Sequence, residues 1–251
     1  MATVDHMKKV QKLLREHSLK QSEELKGLKQ QLFAELKRIE QINYRQIESF
    51  YWLARRLSIK NSLPPLRGWP MSPDVLLKLH EYIVSAKPKV VLEFGSGIST
   101  IVICDALRQN GCGLLYSVDH LEQFANQTLQ NIKKESLDSF VDLRISTLEP
   151  WSGEHLGGNR ENAPLWYQQK VLEDIKEIDL LIVDGPPGST CPYARYPALL
   201  AVYENLSKSA QIWADDAGRK DEKDMCNNWA KKYNFQVNFL PTEQGLAILT
   251  R

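Results

Sequence analysis

Five acids and two glycines carry the chemistry legible in this chain: Glu93, Gly95 and Gly97, then Asp119, Asp184 and the pair Asp215-Asp216. Glu93 stands two residues before Gly95. Glycines at such a point let backbone approach a ligand that a side chain would hold off. A carboxylate such as Asp119 can accept two hydrogen bonds at once, as neighbouring ribose hydroxyls would offer them. Asp184 is a candidate base, and clustered acids are candidate ligands for a hard divalent ion such as Mg²⁺.

The surrounding elements must place these residues. Residues 89–94 read as a short buried strand, started by Pro88. The turn Gly95-Ser-Gly97 leads into a helix expected over residues 101–108, with Ser99 or Thr100 as its cap. Residues 113–119 form a second strand ending in Asp119. In nucleotide-binding α/β folds a ribose-binding acid follows the glycine turn at about this distance. Asp119 is alternatively the N-cap of a helix over residues 121–134. Further strands are expected over residues 141–146, 178–183 and 210–214. The fourth ends in Asp184-Gly-Pro-Pro-Gly188 and the fifth in Asp215-Asp216. Helices fill residues 74–85, capped by Ser72, and residues 198–206 and 220–232. Strands 235–240 and 246–250, joined by residues 241–245, close the chain as a hairpin. Right-handed crossovers make the first five strands parallel, and the hairpin adds an antiparallel strand near one edge.

Acids at neighbouring parallel strand ends meet on one face, at the switch-point crevice. Asp184, Asp215 and Asp216 would repel one another there unless protonated or neutralised, so a divalent metal is expected between them. The alternative has Asp216 capping the next helix and Asp184 acting alone as a base. Residues 148–168 read as a long irregular insertion holding Trp151, His155, Gly157, Gly158, Trp166 and Tyr167. Loops of that length are often functional. Trp166 and Tyr167 are candidate covers for adenine or substrate. His155 reads as a solvated loop histidine rather than a base. Arg195 is a candidate partner for an anionic substrate group, or a surface arginine bonded to loop carbonyls.

The run Glu93-x-Gly95-x-Gly97 resembles motif I of class I S-adenosylmethionine (SAM)-dependent methyltransferases, with Ser99 in the place of the usual third glycine. Over residues 72–251 the chain resembles their fold, an α/β, Rossmann-like seven-stranded sheet with a C-terminal β-hairpin. The resemblance implies SAM as cofactor. It implies Glu93, Gly95 and Gly97 along the methionine part, Asp119 on the ribose and Ser99 as a further cofactor-binding residue. Trp69 is expected to cover the cofactor or a core edge. An Asp after the fourth strand and an acidic pair after the fifth look like catechol O-methyltransferase-type enzymes, which carry Asp-Asn where this chain has Asp-Asp. That likeness implies Mg²⁺ or a similar ion on Asp184, Asp215 and Asp216, lowering the pKa of an acceptor hydroxyl. No N-P-P-[YF]-like segment follows the fourth strand, where amino-methylating enzymes of this fold often carry one. An oxygen acceptor is therefore expected, on a small molecule or a glycan. Two rivals are an NAD-dependent Rossmann enzyme and a non-catalytic scaffold on a degenerate methyltransferase body. Thr100 in place of a third glycine, with the closing hairpin, argues against the first. The pairing of Glu93 with Asp119 argues against the second.

The composition allows this. A chain of 251 residues, 43% hydrophobic and of net charge +1, holds one α/β domain and an appendage. Residues 1–60 carry 13 basic and 7 acidic residues, the remainder 19 and 24. No aromatic-basic interleaving marks a nucleic-acid groove. The four cysteines form no C-x-x-C pair and read as buried, reduced thiols. No run reaches membrane-span length and no signal-peptide core is present, so a cytoplasmic protein is expected. Residues 1–60 lack proline, and their apolar residues recur from Leu25 to Leu57 at steps of mostly three or four. A helix over residues 22–59 would be about 57 Å long. Its stripe predicts homo-oligomerisation through a coiled coil. The alternative packs residues 44–57 on the body. The basic arm leaves peripheral membrane contact open. Residues 61–71 read as a proline-rich linker and residues 72–251 as the methyltransferase domain.

Overall fold

The structure, a computed structural model, describes residues 2–157 and 164–251. The chain divides into two compact units, Met1–Arg45 and Gln46–Arg251. Helix α1 (Ala2–Arg56) supplies the described residues of the first and enters the second. It starts earlier than expected because nothing before residue 22 breaks a helix. In the first unit Leu25, Leu28, Leu32, Leu36 and Ile39 are all exposed.

Within the second unit the end of α1 is built into the body. Leu53 is fully buried, and Gln46 Oε1 accepts from the Asp74 amide at 3.2 Å. The following residues are also fastened. The amides of Lys60 and Asn61 each donate to the Glu135 carboxylate at 2.7 Å. These bonds hold Glu135 below its ordinary range, although its burial works the other way. The compact body therefore begins before the proline-rich stretch, not after it.

Helix α2 (Pro73–Ala86) follows, with Pro73 in its first turn. Ser72 stands at its N-cap position as expected, but its side chain makes no capping bond. Its hydroxyl donates instead to the Asp74 carboxylate at 2.6 Å. Strand β1 (Val90–Phe94), helix α3 (Ile98–Asn110), strand β2 (Leu114–Asp119), helix α4 (Glu122–Lys134) and strand β3 (Val141–Ile145) come next. The insertion is less irregular than expected. Strands β4 (Leu148–Pro150) and β5 (Leu165–Tyr167) pair antiparallel within it. Gly158 lies outside the described residues.

Strand β6 (Ile178–Val183), helix α5 (Pro197–Val202), strand β7 (Leu206–Asp215), helix α6 (Lys220–Tyr233) and the hairpin β8 (Gln236–Leu240) and β9 (Leu246–Thr250) complete the chain. Helix α5 is shorter than expected because residues 203–205 form a 3₁₀ turn between it and β7. The seven-stranded sheet has the order β3-β2-β1-β6-β7-β9-β8. Strands β3, β2, β1, β6 and β7 are parallel, and β9 enters antiparallel beside β7. Leu53, with apolar residues of α2 and α3, forms one core, and Trp166, Leu199 and Trp229 belong to the other. Strands covered on both faces read as nearly continuous apolar runs, as β1 and β6 do, each broken by one acid, Glu93 and Asp179. Cys104 and Cys226 are buried thiols, but Cys112 is exposed and Cys191 half-buried.

Candidate functional site

The glycine turn is held from beneath by a buried carboxylate. Glu93 has no exposed surface, and its Oε2 accepts from Thr100 Oγ1 at 2.7 Å and Ser117 Oγ at 2.8 Å. Thr100 Oγ1 in turn accepts from the Gly97 amide at 2.9 Å. One acid thus ties β1, β2 and the start of α3 together. Burial pushes Glu93 up to about 7, against the hydrogen bonds of Ser99, Thr100 and Ser117. Helix α3 starts at Ile98, so Thr100 lies inside it rather than capping a later helix.

Gly95 is required twice over. Its φ is +96°, and a Cβ there would lie 3.1 Å from the Asp184 carbonyl carbon and oxygen. Gly185 faces it, where a Cβ would stand 2.6 Å from Tyr167 Oη. The ends of β1 and β6 therefore approach at backbone distance. Gly97 differs, because a Cβ there would meet nothing within 4 Å.

A cavity of about 810 Å³ opens at these strand ends. Gly95, Gly97, Ser99 and Asp119 line its β1–β2 side, and Asp184, Arg195 and Asp216 line its β6–β7 side. Asp119 reaches the turn directly. Its Oδ2 accepts from the Ser96 amide at 2.9 Å and Ser96 Oγ at 2.6 Å, while Oδ1 accepts from the Leu121 amide at 2.9 Å. Asp119 thus holds the entry to α4 as well as facing the cavity. His120 adjoins it, its pKa lowered by burial. Trp69 is 73% exposed, so it covers no core edge. It lines the cavity with its ring 5.8 Å from that of Phe124.

Several expected site residues are placed differently. Glu93 is beneath the turn and outside the cavity wall. Trp166 is fully buried against Phe94, with ring centres 4.8 Å apart, and cannot touch a substrate. Tyr167 is in the wall, and its buried hydroxyl has no hydrogen-bond partner. His155 lies outside the wall. Arg195 is neither a surface residue nor free for an anionic substrate group. It is 4% exposed, with Nη2 3.3 Å from Asp184 and Nη1 3.0 Å from Asp216. Asp216 does not cap α6, whose first flanking residue is Arg219. Ser96, His120 and Phe124 were missed. Ser96 and His120 adjoin identified residues in sequence, which is the only signal they carry, and Phe124, five residues beyond Asp119, carries none.

The expected metal centre is corrected by the same arginine. Among the described residues no group of three His, Cys, Asp or Glu side chains is arranged to hold a metal ion. The guanidinium stands among the acids where the ion would be, so the residues do not fit a divalent cation. Burial raises Asp184 well above the usual carboxylate range, and Asp215 raises it further, with Arg195 acting against both. Burial, then Asp216, lifts Asp215 to about 7. Arg195 keeps its charge: burial disfavours it, but Asp184 and Asp216 more than offset that.

The cavity does fit a nucleoside cofactor. Gly97 leaves open space beside it, Asp119 faces it, and the orphaned Tyr167 hydroxyl has a hydrogen bond to give. The comparisons with known proteins agree. No curated protein matches the chain in sequence. Solved structures match in fold. An S-adenosylhomocysteine-bound methyltransferase from Podospora anserina has a TM-score of 0.56 at 15% identity, covering 82% of this chain and 86% of that one. An O-methyltransferase from Bacillus cereus, also with S-adenosylhomocysteine, has a TM-score of 0.54 at 13% identity, covering 82% and 90%. A SAM-bound O-methyltransferase from Streptomyces achromogenes, involved in tomaymycin synthesis, has a TM-score of 0.52 at 13% identity, covering 81% and 98%. The profile of a family described as a methyltransferase domain matches residues 92–217, from within β1 to just past Asp216. With half its length matched and this sheet order, the chain belongs to that family, the class I SAM-dependent methyltransferases.

Proposed function

We propose that the 810 Å³ cavity binds SAM over the β1 and β2 ends and that the methyl group passes to a hydroxyl oxygen presented beside Asp184. One observation carries this reading: the Gly95–Gly97 turn, Asp119 and Asp184 share one cavity wall. SAM, when bound, supplies a methyl group on a positively charged sulfur. Asp119 accepts the ribose hydroxyls, and Tyr167 Oη donates to the ligand beside Gly185. The chain contributes mainly alignment and exclusion of water. Asp184 accepts the proton of the acceptor hydroxyl, and burial raises its pKa, which strengthens it as a base. The acceptor, a small molecule or glycan, enters between residues 187–195 and 216–222. The O-methyltransferases among the structural neighbours support an oxygen acceptor.

The test of the cofactor is a thermal-shift series with SAM, S-adenosylhomocysteine and NAD. A ligand at 100 times its dissociation constant stabilises the folded state by roughly 2.7 kcal/mol. SAM and S-adenosylhomocysteine should shift the melt, and a shift with NAD alone overturns the assignment. We also propose that residues 1–45 self-associate, supported by the exposed apolar stripe of α1.

A further inference from the structure

Removing several carboxylates from water is costly unless their charge is neutralised. At the ends of β6 and β7 one cationic side chain reaches the acids of both strands. Arg195 touches both strand ends, and touches each of them twice. On the β6 side Nη2 lies 3.3 Å from Asp184 Oδ1, and Nε donates to the Pro186 carbonyl at 3.2 Å. On the β7 side Nη1 lies 3.0 Å from Asp216 Oδ2 and donates to the Asp215 carbonyl at 3.3 Å. Two carboxylates and two carbonyls are the oxygen types a hard divalent ion would gather. A guanidinium, rigid and forked, collects the same set by hydrogen bonds.

Resting on the methyltransferase reading above, we propose that Arg195 is a built-in cation replacing a divalent ion at this site. It is a positioning residue: it holds the Asp184 carboxylate at the cavity wall, locks the β6 end to the β7 end, and makes the site independent of metal. Asp216 takes a second cation as well, with Arg219 Nη1 2.8 Å from the same Oδ2. A divalent ion entering the intact site would meet both guanidinium groups.

The test follows Mn²⁺ by its free-ion electron paramagnetic resonance signal, with folding of each variant checked by its melt. The full chain should leave the Mn²⁺ signal unchanged at this site. Arg195→Ala should deplete it, because the oxygen set then loses the cation that spans both strand ends, Arg219 pairing with Asp216 alone. Asp216→Asn placed on Arg195→Ala should restore the free signal. Arg195→Lys should behave as the full chain, since it keeps a cation. A purely structural arginine would not produce this split between Ala and Lys. Should Arg195→Ala not fold, Arg195→Gln takes its place. Mn²⁺ binding by the unchanged chain that Asp216→Asn abolishes overturns the proposal. So does a folded Arg195→Ala or Arg195→Gln that takes up no Mn²⁺. Calorimetry with S-adenosylhomocysteine on the same sample separates the two readings. Its failure would remove the methyltransferase assignment, whereas the Mn²⁺ result bears on Arg195 alone.

Discussion

At the scale of single residues, two acids near the turn have opposite duties. Asp119 faces the cavity and Glu93 supports the turn from below. Asp119→Ala should weaken S-adenosylhomocysteine binding by about 1.5–3 kcal/mol, roughly ten- to a hundredfold in a calorimetric titration. The variant also frees Ser96 and the Leu121 amide, so Asp119→Asn should lose less. Unchanged affinity in the Ala variant would place the ribose elsewhere. For Glu93 the expected readout is stability against pH. Its folded pKa is about 7, above the ordinary 4.5, so the folded state keeps a proton that the unfolded chain has given up. The Glu93 contribution is therefore fully present below pH 4.5 and is lost as pH rises through about 7. Glu93→Gln keeps an oxygen for Thr100 and Ser117 but has no charge to bury. Relative to wild type it should gain up to roughly 3 kcal/mol between pH 4.5 and 8, measured by denaturant titration. Parallel pH profiles for the two proteins would show that Glu93 titrates normally.

At the scale of elements, the turn between β1 and α3 uses its two glycines for different reasons. Gly95 has a positive φ and sits against the Asp184 backbone. Gly95→Ala should lower the melting temperature and weaken ligand binding together, because both strain and contact are with backbone. Gly97 has open space where a side chain would start. Gly97→Ala should leave the melt nearly unchanged and reduce S-adenosylhomocysteine binding, since the methyl group enters the ligand's space. If both variants melt and bind alike, the two glycines do not divide the work in this way.

At the scale of the whole molecule, the two ends of the chain differ in what they contribute. The first unit ends at Arg45, and its apolar stripe is exposed. Removing residues 1–45 should leave S-adenosylhomocysteine binding intact and lower the oligomeric state seen by light scattering. A full-length monomer at working concentration would end the self-association proposal. Cutting further, to residue 60, should destabilise the body, because Leu53 and the Lys60 bond to Glu135 go with it. The described residues contain no helix long and apolar enough to cross a membrane.

The strand-turn-helix at Glu93–Gly97, the acid after β2, the parallel order and the closing hairpin were legible in the sequence. Each rests on local properties: apolar runs, glycine freedom and the short reach of chain between elements. Element identity followed from these, although α1, α5 and β7 ended elsewhere than expected. What lay beyond the sequence was how side chains distant along the chain share space. Trp166 and Tyr167 are neighbours that both pack on the Phe94 ring, yet only Tyr167 also reaches the cavity wall. Sequence placed Asp184, Asp215 and Asp216 at adjoining strand ends and left their repulsion to a metal. Only the tertiary structure showed that Arg195, which follows β6 by a loop of unreadable path, folds back between them. Which charge neutralises a buried cluster depends on distance in space, and local sequence carries no record of that distance.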